Sequence, residues 1–264
     1  MAEYRPQEVQ KTLQKTDVHD SWASSYRTPE NEAFYERAFD CITKVLNAPT
    51  DSTILDAGCG TCAQSVRLAR RGFRVTAVDF SDAILARAEQ RVKSLGLEGR
   101  IRLQREDVVS LSFEDETFDY VLCWGVLMHI PEVDKAVSEL ARVVKRGGSV
   151  IISEGNMYSL DSFIVRNVKR MLWTRGGNSR KTPAGIEMWM STSAGSLLVR
   201  HANVPWLIWR FANMGFTLQK RVPGQFTELY TKMPTRVIRK SVSYTHLRAH
   251  ETPEHLVCRL LLEK

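Results

Sequence analysis

Residues 53 to 63 read T-I-L-D-A-G-C-G-T-C-A, an apolar run, an acid and a glycine turn in immediate succession. Ile54 and Leu55 close a short apolar run, which predicts a buried strand with Asp56 at its carboxyl end. Ala57, Gly58, Gly60 and Thr61 follow, and glycines there allow a tight turn whose backbone approaches a ligand without a Cβ in the way. The spacing then predicts a helix over Gln64 to Arg71, with Val66, Leu68 and Ala69 apolar and Gly72 as its stop. A second apolar run, Arg74 to Val78, ends in Asp79, with Phe80 and Ser81 beyond it. Strand, glycine turn, helix and strand make one βαβ unit, whose ligand crevice lies at the carboxyl ends of the strands.

Two cofactors can use such a unit. Gly58 to Ala63 satisfies G-x-G-x-x-A, the pattern of dinucleotide sites. A diphosphate, however, needs backbone N–H groups and a helix N-terminus free of nearby negative charge. Asp56 would set a carboxylate beside it, whereas the same carboxylate suits the ammonium group of S-adenosylmethionine. Asp79, at the end of the second strand, can accept from ribose hydroxyls in either case and does not discriminate. The balance favours S-adenosyl-L-methionine.

D-A-G-C-G-T, then V-D-F-S, then E-D-V, then F-D-Y-V-L-C-W-G-V-L-M-H-I-P-E follow in order. Over about Trp22 to Met233 the chain resembles the class I S-adenosylmethionine-dependent methyltransferases. The resemblance implies an α/β, Rossmann-like doubly wound sheet of seven strands, mostly parallel with an antiparallel last strand. It also implies an N-terminal helical cap and a helical lid insert. Asp56, Ala57, Gly58, Gly60 and Thr61 would hold the methionine end of the cofactor. Asp79 would bind the ribose, Phe80 would lie against the adenine, Ser81 would join the cofactor-binding residues, and Asp107 and the Val108 N–H would pair with the adenine edge. Cys123, Trp124 and Gly125 would line the methyl-donor pocket, and Trp22 and Tyr26 of the cap would touch the cofactor or only pack the cap down.

The remaining core segments agree with that expectation. Arg100 to Gln104 reads as a short strand followed by Asp107, and Tyr120 to Trp124 as a strand buried on both faces. Val133 to Val144 carries apolar residues at helical spacing, and Arg146-Gly147-Gly148 turns the chain into a strand over Ser149 to Ser153. Alternating strands and helices imply a parallel sheet with helices on both faces. The domain reading is a cap over 1–48, a cofactor core over 49–155, a lid over 156–214 and a closing hairpin over 215–233. In the cap, His19 to Tyr26 and Asn31 to Leu46 read as helices. The lid is rich in Trp, Met and basic residues. Its sequence admits a cover over a partly apolar acceptor, a small core of its own, or a solvated basic face. The hairpin joins Phe216 to Arg221 with Gln225 to Lys232 through Pro223-Gly224.

Residues 234–241 read as a truncated tail, and Val242 to Lys264 resembles a translated sequencing adapter. The codon string GTC TCT TAT ACA CAT CTC CGA GCC CAC GAG spells Val242 to Glu251. Such a segment is expected to stand outside the fold. Its charges cancel, so the net charge of +7 belongs to the residues before it. The tail also holds His246, His250, His255 and Cys258, a tempting but unselected metal set.

No apolar run approaches the ~20 residues of a membrane span, and Met1 to Thr16 lacks the apolar core of a signal peptide. Cys41, Cys59, Cys62 and Cys123 are expected as free thiols of a cytoplasmic protein. Cys59-x-x-Cys62 has no second pair with which to hold zinc, and no metal site is expected. His129, five residues past Trp124, is a candidate general base or a packing residue at the next helix; Glu154 and Tyr158 are the other candidates. The expected acceptor is a small or lipid-like molecule. An RNA or protein acceptor is the alternative, raised by the sequence pI near 9.2, although the basic residues are scattered. A non-catalytic cofactor-binding protein is the third possibility.

Overall fold

The computed structural model describes residues 6–19, 29–159, 179–192, 195–223 and 258–264. Strand β1 (Thr53–Ala57) lies inside a seven-stranded sheet, between β2 (Arg74–Asp79) and β4 (Phe118–Trp124), and is parallel to both. Outward run β3 (Ile101–Arg105) on one side and β5 (Val144–Glu154), β10 (Cys258–Glu263) and β9 (Thr217–Pro223) on the other. The order is β3-β2-β1-β4-β5-β10-β9, and β10 is antiparallel to both of its neighbours. The strand order reverses between β1 and β4, the switch point where open α/β sheets bind ligands.

Alternation along each strand divides the core between two faces. Leu55, Val121, Cys123, Val150 and Ile152 face α5 (Val133–Val143) and α6 (Val204–Ala212), which contribute Leu140, Leu207 and Phe211. Ile54, Leu122 and Ile151 face α2 (Pro29–Leu46) and α3 (Ala63–Arg70), from which Phe39, Val66 and Leu68 come. Helix α4 (Asp82–Ser94) starts where the Ser81 hydroxyl accepts from the Ile84 N–H, and it buries Ile84, Ala88 and Val92 at four-residue spacing. Each buried leucine or valine here contributes about 1.5–3 kcal/mol relative to exposure.

Three expectations need correction. First, the tail does not stand wholly outside the fold. Cys258–Glu263 fills the slot between β5 and β9, with Leu260 and Leu262 in the core on one face and Leu261 on the other. The slot is selected by backbone pairing, which is indifferent to sequence, and by apolar side chains pointing both ways. Three consecutive leucines meet both conditions. Gln225 to Lys232, expected in that place, lies outside the described residues.

Second, the insert is not simply helical. Ahead of helix α6 its described part holds a separate antiparallel sheet of β6 (Ser179–Thr182), β7 (Gly185–Thr192) and β8 (Gly195–Ala202). Third, an additional helix, α1 (Pro6–Leu13), precedes the expected cap helices; of the His19–Tyr26 helix only His19 is described, so Trp22 and Tyr26 lie outside the described residues. Helix α6, counted with the lid in the sequence reading, packs Phe211 into the main core.

Candidate cofactor site and the loop after β4

The glycine turn is tied across to β2. The N–H groups of Gly58 and Cys59 both donate to the Val78 carbonyl, at 2.9 and 2.8 Å. Gly58 has φ of +79°, and a Cβ there would lie 2.6 Å from a Val126 methyl, so only glycine fits beneath the loop that follows β4. Gly60 has φ of +53° and open space where its Cβ would be. The backbone at Gly60 is thus bare on the side where a ligand can approach.

Asp79 ends β2 with its carboxylate aimed by two backbone donors. Gly60 N–H donates to Oδ2 and Ser81 N–H to Oδ1, each at 3.0 Å. Burial raises its pKa above the usual carboxylate value, and these two hydrogen bonds oppose the rise. Ser81 is buried as the cap of α4, so its side chain belongs to the scaffold of the site. Phe80 and Asp107 are half-buried; Val108 is buried in the core. Asp107 Oδ1 accepts from Val109 N–H at 3.2 Å, and Gln10 of α1 donates to Oδ2 at 3.2 Å.

Asp56 is buried at the end of β1, and Oδ2 accepts the Ser65 hydroxyl at 2.5 Å. Burial pushes its pKa up to about 6, against the Ser65 hydrogen bond. In this geometry Asp56 fastens α3 to the glycine turn. Cys123 is fully buried in the core, where burial pushes its thiol pKa up. Trp124 lies against α2, with ring centroids 5.1 Å from Phe39 and 6.0 Å from Tyr35. Among the described residues, no cluster of three His, Cys, Asp or Glu side chains could hold a metal ion.

Gly125 opens the loop after β4, and its N–H donates to Ser153 O at 2.8 Å. A single 3-10 turn, Leu127–His129, follows. Glu154, at the end of β5, accepts from Leu127 N–H at 2.8 Å, and burial raises its pKa to about 8. His129 is half-buried with Nδ1 2.7 Å from the Leu198 carbonyl of β8, and desolvation of its ring pulls its pKa to about 4. Tyr158 is 59% exposed and its N–H donates to Asn156 Oδ1. Of the three candidate catalytic side chains, His129 and Glu154 are thus bound into the loop scaffold, and Tyr158 is open to solvent.

The sequence reading missed Arg200 of β8, which is 2% exposed. Its guanidinium donates to the carbonyls of Leu127 at 2.7 Å and Ile130 at 2.8 Å, and to Glu187 Oε1 at 2.8 Å. Glu187 lies directly opposite on β7. The available signal was a charge at an inward position of each strand, in G-I-E-M-W-M and S-L-L-V-R-H-A.

Residues 55–152 match the family model described as a methyltransferase domain. A phosphatidylethanolamine N-methyltransferase of Cereibacter sphaeroides is 41% identical over 99 residues, 38% of this chain and 48% of that protein. A ubiquinone biosynthesis O-methyltransferase of Alkalilimnicola ehrlichii is 35% identical over 143 residues, 52% of this chain and 57% of that protein. The chain thus spans about half the length of the curated relatives it matches. Among solved structures, the magnesium protoporphyrin IX methyltransferase of Synechocystis with bound SAH superposes with a TM-score of 0.65 at 16% identity. That match covers 97% of this chain and 99% of the other, and it shows a shared fold. Residues 55–152 thus match a methyltransferase domain by sequence, and the chain shares the fold of the Synechocystis enzyme.

Proposed function

We propose that the protein transfers a methyl group from S-adenosylmethionine to a small, lipid-like acceptor. The observation that carries the cofactor half is the Asp79 carboxylate, aimed by Gly60 and Ser81 N–H groups beside a bare glycine backbone. In this reading Gly58, Gly60 and Thr61 hold the methionine end, with Asp56 fixing the turn. Asp79 takes the ribose, Phe80 the adenine face, and Asp107 with the Val108 N–H the adenine edge. Trp124 and Gly125, with the backbone of Cys123, border the methyl group.

Bound S-adenosylmethionine supplies an electrophilic methyl group. The chain's task is then to present an acceptor atom in line with the S–CH₃ bond and to exclude water, and positioning alone can supply much of the acceleration. The acceptor side of this reading falls to the insert, where Tyr158 and Met190 are 59% and 48% exposed. Exposed groups of this kind suit an apolar acceptor. Matched relatives named for phosphatidylethanolamine, demethylmenaquinone and ubiquinone biosynthesis support a lipid-like class. We place the protein in the cytoplasm on its free cysteines, and no described helix is long and apolar enough to cross a membrane.

The test is transfer of tritiated methyl to phosphatidylethanolamine vesicles, a demethylated quinone in detergent, total RNA and cell protein. Label in a lipid or quinone arm is expected. Label confined to RNA or protein would replace this acceptor class with the other. Tight binding of S-adenosylhomocysteine with no label in any arm would leave a non-catalytic cofactor-binding protein.

A further inference from the structure

We propose that Arg200 is a positioning residue for methyl transfer, fixing the Leu127–Pro131 backbone and locking the β7–β8 sheet to it. The inference rests on the methyltransferase reading above, because that loop directly follows the Trp124-Gly125 border of the methyl pocket. The loop contains one 3-10 turn of three residues, too short to hold its own geometry. Its shape is imposed from both sides. Glu154 on β5 accepts the Leu127 N–H at 2.8 Å, while Arg200 on β8 donates to Leu127 O, Ile130 O and, at 3.4 Å, Pro131 O.

The fork is matched to this job. A guanidinium presents five N–H donors in one rigid plane, so the three carbonyls and the Glu187 carboxylate must hold a fixed mutual geometry. Glu187 takes the other edge of the fork, with Nη2 at 2.8 Å and Nε at 3.3 Å from its Oε1. His129 adds a second tie from the loop to β8 through Leu198 O. At its end, β8 is pinned to the carboxyl end of β5, where Ala202 N–H donates to Gly155 O and Met157 N–H to Ala202 O. The insert sheet therefore cannot shift relative to the pocket border without breaking the fork.

The Glu187–Arg200 ion pair by itself does not account for burying two charges here. Removing two charges from water is costly, and apolar residues of similar volume commonly do as well or better. That difference separates positioning from support. In the full chain, the double variant E187M/R200M removes both charges together, so no lone charge is left buried, and its melting cost is limited to the carbonyls that lose their donor. It leaves the Leu127 and Ile130 carbonyls unheld.

In E187M/R200M with S-adenosylhomocysteine bound, amide exchange at Leu127–Ile130 should rise about tenfold or more while β1 and β2 amides keep the parent rates. With the acceptor that takes label, kcat should fall about 10- to 100-fold, and the KM for S-adenosylmethionine should stay within about twofold. R200K keeps the charge opposite Glu187 but presents one ammonium in place of the fork, and should show the same changes to a smaller degree.

Parent exchange and parent kcat in a folded double variant would overturn the proposal. Should that variant not fold, R200K with parent exchange at these amides would overturn it equally. The exchange measurement needs no acceptor, so failure of every acceptor arm would touch only the proposed function.

Discussion

Replacing Glu154 with Gln should remove a pH dependence of stability that the buried carboxyl imposes. Glu154 is 2% exposed. Oε1 accepts from Leu127 N–H, and Oε2 has no hydrogen-bond partner among the described residues. Burial moves its pKa from the usual 4.5 to about 8. The folded chain therefore keeps a proton that the unfolded chain releases between these values. The stabilising contribution is full below pH 4.5 and is lost as pH rises through about 8. At about 1.36 kcal/mol per pKa unit, the gap sets an upper bound near 5 kcal/mol, and relaxation around the charge brings the expected effect to about 2–5 kcal/mol. Gln keeps an acceptor for Leu127 N–H and cannot ionise. Urea unfolding at a series of pH values should give similar stabilities for parent and E154Q near pH 5, and a growing advantage for E154Q toward pH 9. Because other titrating groups are common to both chains, they cancel in the difference. Parallel stability curves across this range would refute the reasoning.

The opposite slope is expected from His129, whose folded pKa of about 4 lies below the usual 6.5. Its contribution is present above pH 6.5 and lost as pH falls toward 4, so H129Q should flatten the acid limb of the stability profile measured by thermal melts. Gly58→Ala adds a methyl 2.6 Å from Val126 at a positive φ, and calorimetry should find S-adenosylhomocysteine binding largely lost. Val126→Ala should restore part of that loss, and a normal affinity in G58A alone would contradict the tight approach. Asp79→Ala should weaken the same ligand by about 1.5–3 kcal/mol, the range for hydrogen bonds to a charged group, and an unchanged affinity would move the ribose site elsewhere. We read Val242–Lys264 as adapter-derived, so the source gene should diverge in sequence from about Ser241. An unchanged genomic read through Lys264 would refute that origin.

The βαβ unit from β1 to β2 was legible in the sequence because its determinants are local. Thr53 to Asp79 carries strand, turn, helix and strand within one short stretch, and burial, glycine φ and strand-end acids all follow from nearest neighbours in the chain. Asp107 could be found the same way, as an acid just past a short strand. The β6–β8 sheet and the ties on the loop after β4 were not legible, because their determinants are pairings between distant residues. Glu187 and Arg200 read as ordinary strand charges until β7 and β8 set them opposite each other, 13 residues apart in the chain, beneath a loop 70 residues earlier. His129 and Glu154 read as candidate bases by residue type and position. The fold instead binds each to backbone groups of another segment. The slot taken by Cys258–Glu263 makes the same point, since sheet pairing accepts any strand with apolar side chains on both faces and no local pattern announces which one. Backbone conformation and periodicity are local properties, so the order of residues alone settles the βαβ unit and its glycine turn. What closes the sheet and what holds the loop after β4 depend on which distant segments meet, and only the folded chain fixes that.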